Sequence, residues 1–276
     1  MTRAGHGAPD RLLLDQVAAD RWPAAEQVVV DGWRLRAASG VTRRANSALP
    51  SGGLPSGGLP AALDERLDVV REFYVERGLP VLVQVSDPDL DAALDARGWG
   101  RHTPTLVMTG PVRTGPGPPL RQDTPDDRLE LSPTAGPEWL DCWWAVDGRG
   151  GEQELQVART CLSAIASPAC FVRLRAFGQR GDRAGRVVAV GRGVVKSGWL
   201  GVYAMAVLPE HRSRGHGREV LAALTRWGLD AGAQAAFLQV AQDNRRAQQL
   251  YAAGGFAPAY GYSYRTPSPE EGPPHD

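Results

Sequence analysis

The tightest constraint on this chain lies between residues 199 and 230. A strand-like run over 199–207 meets Pro209, and the segment Arg212-Ser213-Arg214-Gly215-His216-Gly217 passes straight into a helical pattern over 217–230. Val220, Leu221, Leu224 and Trp227 recur there at helical spacing. Two glycines between strand and helix let the backbone take positive φ and turn successive amides toward one concavity. The helix start adds unpaired amides and about half a positive charge. Arg212, Arg214 and Arg218 crowd the same place. The combination reads as an anion site.

A second motif follows at the distance of one strand. After the apolar run 235–240 comes Asn244-x-x-Ala247-x-x-Leu250-Tyr251-x-x-x-Gly255-Phe256, a helix over 245–253, and a last strand over 260–265. Upstream of the first motif lie a short strand (129–131), two helices (from 137, and 152–165) split by the glycine-rich loop 147–151, and strand-like runs at 170–177 and 187–195. Helices between strands imply an α/β layer with at least one parallel crossover. Leu140, Trp143 and Trp144 fit the buried stripe of the first of these helices; an aromatic pocket lined by Trp139, Trp143 and Trp144 is the alternative.

Both motifs, in this order and on these elements, resemble the GNAT superfamily of acyl-CoA-dependent N-acyltransferases over residues 128–265. The resemblance implies an α/β fold with a mixed central sheet flanked by helices, acetyl-CoA as co-substrate, an amine acceptor and no metal. It implies that Arg212, Ser213, Arg214, Gly215, His216, Gly217 and Arg218 cradle the pyrophosphate, and that Met205, Ala206 and Val207 pair with the pantetheine arm. Asn244 stands where the family has an asparagine near the cofactor. Tyr251 stands where a tyrosine protonates the departing thiolate; the alternative for its ring is a core aromatic beside Leu250 and Phe256. His211 and His216 read as phosphate-side residues rather than catalysts.

The general base departs from the pattern. Relatives place a glutamate on the strand before the loop, where this chain has Gly201, or on the following strand, where it has Gln239. Tyr203 shares the face of Gly201 by the two-residue period of a strand, and Glu152 or Glu154 could reach in from the helix–helix loop. A base acting through water is equally compatible.

The first half echoes the second. Val81-Leu82-Val83-Gln84-Val85 parallels Ala236-Phe237-Leu238-Gln239-Val240, and residues 93–99 parallel 250–256, with a strand (105–109) after them. A strand at 32–36 and a helix over 63–77 precede these. The organisation thus resembles tandem-GNAT proteins: a degenerate unit over 1–110, a Pro/Gly linker over 111–125, a catalytic domain over 126–266 and a disordered tail over 267–276. The first unit lacks the R-x-x-G-x-G turn, and Leu94 replaces the tyrosine. The repeated Ser-Gly-Gly-Leu-Pro at 51–60 would be a corrupted phosphate loop, its prolines removing amide donors. The expectation is that this half binds no cofactor and walls the acceptor pocket.

Composition narrows the partners. The 276 residues carry 31 basic and 31 acidic side chains, and zero net charge does not suit a nucleic-acid binder. No apolar run is long enough to span a bilayer, and Leu12-Leu13-Leu14 is too short for a signal-peptide core. Three cysteines without metal or disulfide spacing point to a reducing cytoplasm. No cysteine suggests a covalent acyl carrier, so direct transfer to an amine is expected. The alternatives are a metabolite acyltransferase resembling the mycothiol synthases and a non-catalytic acyl-CoA sensor. The acceptor and the oligomeric state are not legible.

Overall fold

The computed structural model describes residues 11–51, 60–112, 128–164, 167–176 and 185–268. Helix α1 (Arg11–Asp20) leads into β1 (Glu26–Val30), β2 (Trp33–Ala37) and β3 (Leu49–Pro50), then α2 (Pro60–Val75), β4 (Val83–Val85), α3 (Pro88–Asp95) and β5 (Gly100–Pro111). The second half supplies β6 (Leu129–Ser132), α4 (Pro137–Asp147), α5 (Glu152–Ser163), β7 (Ala169–Ala176), β8 (Arg186–Lys196) and β9 (Trp199–Val207). It ends with α6 (His216–Asp230), β10 (Ala235–Ala241), α7 (Arg245–Ala253) and β11 (Ala257–Thr266). The repeated Ser-Gly-Gly-Leu-Pro segment, most of the linker and most of the tail lie outside the described residues.

Strands β1–β3 form a small antiparallel sheet, and the other eight form one mixed sheet in the order β4-β11-β5-β10-β9-β8-β7-β6. Its one parallel pair is β9 with β10, bridged by α6, as expected for the crossover. The same sequence of elements occurs in the first half. There β3 and β4 are joined through a parallel bridge, Ala48 to Val83, followed by α3 and β5.

The final strand of each half pairs with strands of the other half. Strand β5 pairs antiparallel with β10, β11 pairs antiparallel with β4, and the two final strands pair with each other. The sheet therefore runs unbroken across the linker, and a cut there separates hydrogen-bonded strands. The principal core follows the same logic: Leu14, Val17, Trp22 and Val41 pack with Trp139, Trp143, Tyr203 and Phe237. A satellite core under α2 and α3 collects Trp33, Leu67, Tyr74, Leu94 and Trp99.

Two fully buried arginines bolt the N-terminal segment to β8. Arg21 donates to the Lys196 carbonyl at 2.5 Å, and Arg192 donates to the Arg21 carbonyl. No carboxylate faces either guanidinium through an ion pair among the described residues. The Arg192 guanidinium instead lies 4.6 Å from the Trp22 ring and 4.9 Å from the Tyr203 ring, where cation–π attraction offsets part of the desolvation cost. Burial pushes its pKa down to about 9.

Candidate active site

Strands β9 and β10 hold only four register pairs, from Ala235 with Trp199 to Leu238 with Val202, and then part. A bulge drives them apart. Ala204 adopts φ +50°, and the β8–β9 register slips between Gly191 and its neighbours. An extra residue on one strand bends it away from its partner. Gly191 opposite the bulge is required: a Cβ there would lie 2.7 Å from the Met205 sulfur and 2.7 Å from Val220. The wedge between Tyr203–Val207 and Gln239–Ala241 leaves one edge of β9 without a β10 partner.

Beyond the wedge the glycine turn takes the expected form. Ser213 and Gly215 have φ +65° and +89°, and Gly215 stands at the N-terminus of α6 with no side-chain cap. The amides of Arg214, Gly215, His216 and Gly217 have no hydrogen-bond partner among the described residues. A Cβ built on Gly215 would meet nothing within 4 Å, so the cradle above it is open. Gly217 has a different task, since a Cβ there would lie 3.1 Å from Leu250; it brings α6 close to α7. Arg212 donates from Nε to the Val207 carbonyl at 3.2 Å, tying the turn to the end of β9. Arg246, which the sequence reading passed over, donates to Ser213 Oγ at 2.8 Å.

Two cavities of about 530 and 650 Å³ flank this turn. The first is lined by Met205, Ala206, Val207, Arg212, Ser213, Gly215, His216, Gly217, Arg218, Asn244 and Tyr251; Arg214 is exposed outside its lining. The Nδ1 atoms of His211 and His216 are buried on its wall without a hydrogen bond. The second lies on the far side of the wedge, against residues 40–46 of the first half, with Tyr203, Gln239, Tyr262 and Tyr264. Val146, Met205, Arg212, Asn244, Ala247 and Tyr251 belong to both. The two spaces meet along these residues, Tyr251 among them.

Tyr251 is buried, with its ring 6.3 Å from Phe256, so the core packing and the site position coexist. Its hydroxyl makes no hydrogen bond among the described residues, and burial pushes its pKa up to about 12. It stays protonated at neutral pH and is a donor. Asn244 is the N-cap of α7, its Oδ1 accepting from the Ala247 amide at 3.1 Å; it fixes the helix that carries Tyr251.

The base candidates fare differently. Tyr203 is 3% exposed, and burial pushes its pKa up to about 12, so it is not a base at neutral pH. Glu154 accepts from the Gly151 amide at 2.7 Å and Glu152 from Gln156 at 2.7 Å, so both are engaged at the start of α5. Neither lines the two cavities. Asp147 lines the second cavity from the exposed end of α4 and was not singled out in the sequence. Trp139 and Trp143 are buried in the core and line neither space.

The family model for the probable histone acetyltransferase Rv0428c C-terminal region matches residues 11–265. The chain belongs to this family. It is 30% identical over 260 residues to the uncharacterized N-acetyltransferase YobR of Bacillus subtilis, covering 91% of this chain and 96% of that protein. It is 28% identical over 233 residues to the probable histone acetyltransferase Rv0428c of Mycobacterium tuberculosis, covering 82% of this chain and 65% of that one. Among solved structures, a GCN5-related N-acetyltransferase from Kribbella flavida superposes with TM-score 0.63 at 18% identity, covering 98% of each chain. A tandem GNAT protein from the clavulanic acid biosynthesis pathway gives 0.63 at 17%, covering 96% of this chain and 91% of that one. These two share the fold. The chain is thus an enzyme of the GNAT acetyltransferase family. Among the described residues no group of three or more His, Cys, Asp or Glu could hold a metal, and no helix is long and apolar enough to cross a membrane.

Proposed function

We propose that the protein transfers an acetyl group from acetyl-CoA directly to an amine. The observation that carries this reading is the junction of the two cavities along residues that include the buried Tyr251, whose hydroxyl makes no hydrogen bond among the described residues. Acetyl-CoA supplies an activated acetyl thioester. The free amides of residues 214–217 and the guanidiniums of Arg212 and Arg218 would hold its phosphates, and Met205, Ala206 and Val207 would bind the pantetheine arm along the open edge of β9. The open cradle over Gly215 fits such a ligand. In the balanced reaction a C–N bond replaces the C–S bond. The amine yields a proton to water, Tyr251 gives one to the thiolate, and Tyr251 regains its proton from solvent.

On this reading the first half, residues 1–110, is a degenerate first unit that walls the acceptor space. The repeated strand–helix–strand–helix–strand order and the cross-paired final strands support it. Three buried free thiols suit a cytoplasmic setting. Titration calorimetry should give one acetyl-CoA site per chain, and thiol release should depend on an added amine. Two equivalent sites would reject the degenerate unit. Binding without transfer to any amine would reject the enzyme assignment in favour of a sensor.

A further inference from the structure

The second cavity holds two polar groups that the chain leaves unanswered. Arg44 is half-buried on its wall, with its guanidinium 5.9 Å from the Trp22 ring, and makes no ion pair or hydrogen bond among the described residues. Gln239 Oε1 is buried with no donor. Beside them Tyr203 Oη is buried against the Arg21 guanidinium. A buried acceptor without a donor costs roughly 1–3 kcal/mol, so Gln239 Oε1 on the same wall as an unpaired cation needs an explanation.

Their chemistry is complementary to one kind of molecule. Arg44 is a fixed cation whose planar fork matches a carboxylate. Gln239 Oε1 is an acceptor that matches an N–H. Between them lies a cavity of small-molecule size, about 650 Å³. Its other charges point the same way: among the described lining residues Arg43 and Arg149 join Arg44, against the single acid Asp147, with Arg212 left to the phosphates. Tyr262 and Tyr264 line the same space and are buried. A lysine-rich peptide would bring positive charge into this field. An amine that also carries a carboxylate would satisfy both the orphaned cation and the orphaned acceptor.

We propose that the acceptor is an amino acid or a small amine of amino-acid type, its carboxylate held by Arg44 and its amine directed by Gln239 toward the wedge where Tyr251 stands. This rests on the acetyltransferase reading above and narrows its substrate class away from cationic protein tails.

The test pairs chemistries that differ only in charge. Thiol release from acetyl-CoA would be measured with glycine, β-alanine, 4-aminobutyrate and L-phenylalanine, each against its amide, and with a lysine-rich peptide. The amides have the more readily deprotonated amines, so any preference for the acids comes from the enzyme. At least one acid should exceed its amide and the peptide about tenfold or more in kcat/KM. Arg44→Gln should raise KM for that acid about 10- to 100-fold, the loss expected of one charge-assisted pair. It should leave the amide and the acetyl-CoA affinity unchanged, with Arg44→Lys intermediate and the melting temperature confirming folding. Equal use of acids and amides, or a preference for the peptide, would overturn the proposal while leaving the acetyltransferase reading intact. If no amine is acetylated, that reading fails by itself, and the anion site is judged by calorimetry of N-acetylglycine and N-acetylphenylalanine on the CoA-saturated protein. Binding lost in Arg44→Gln upholds the site, and no binding by the wild type overturns it.

Discussion

The Tyr203 ring lies over Gly201, so close that a Cβ on Gly201 would sit 2.5 Å from its Cε2 and hydroxyl oxygen. The glycine is therefore the seat of the ring, and a glutamate at this position excludes the ring from it. The missing carboxylate and the buried phenol are one structural fact. Gly201→Glu should destabilise the fold by about 1–3 kcal/mol, as overpacking does. Truncating the ring as well, in Gly201→Glu/Tyr203→Ala, should cost less than the sum of the two single changes. Urea unfolding of the four proteins checks this; strict additivity would mean that the ring does not rest on Gly201.

At Gly215 conformation and ligand space can be separated. Its φ of +89° strains any β-branched residue, whereas asparagine tolerates the left-handed region. Gly215→Val should therefore lose both stability, by about 1–2 kcal/mol, and acetyl-CoA binding. Gly215→Asn should melt near the wild type yet bind acetyl-CoA at least about tenfold more weakly, because its side chain enters the open cradle. Calorimetry and melting curves on both variants decide it. Unimpaired binding by Gly215→Asn would show that the cradle is not used.

These two glycines mark how far the sequence could be read. The turn at 212–217, the crossover β9–α6–β10 and Tyr251 on α7 were legible because each is local: a strand period, a glycine and a helical period within about 50 residues. The cross-pairing of β5 and β11 was not, because both partners read as ordinary strands and pairing between distant segments leaves no local pattern. Arg44 was invisible for a related reason. In a chain whose basic residues are nearly all arginine, one more between Arg43 and Ala45 carries no signal until the fold faces it into a cavity. The bulge at Ala204 was equally silent, since nothing in Tyr203-Ala204-Met205 demands positive φ.

The buried carboxylate of Asp15 makes the link between the halves sensitive to pH. It accepts from Ser86 Oγ at 2.6 Å and from Tyr260 Oη at 2.8 Å, joining α1 to the β4–α3 turn and to the final strand β11. Burial raises its pKa above the ordinary 3.8, outweighing these hydrogen bonds. A raised folded-state pKa means that the native state holds the proton more tightly than the unfolded chain. Its contribution is therefore full below about pH 4 and is lost as pH rises through the folded-state value. Asp15→Asn cannot titrate, so relative to the wild type it should gain stability between about pH 4 and 7. Urea unfolding at both ends of that range measures the difference. Parallel stability curves for the two proteins would contradict it.

Tyr251 carries the most consequential expectation. Its ring packs on Phe256, its hydroxyl makes no hydrogen bond among the described residues, and the residue lines both cavities. Removing the hydroxyl alone should cost the fold almost nothing, and removing the ring should cost about 3–5 kcal/mol. Tyr251→Phe should therefore keep its melting temperature and acetyl-CoA affinity while turnover falls about 10²- to 10⁴-fold, the usual loss of one acid–base group. The pH profile supplies an independent reading. An acid is active while protonated, and burial holds this phenol up to about 12. Wild-type kcat should then show no descending limb from this group below about pH 11. If Tyr251→Phe retains full turnover, the thiolate takes its proton from elsewhere, and the Tyr251 hydroxyl has no part in the transfer.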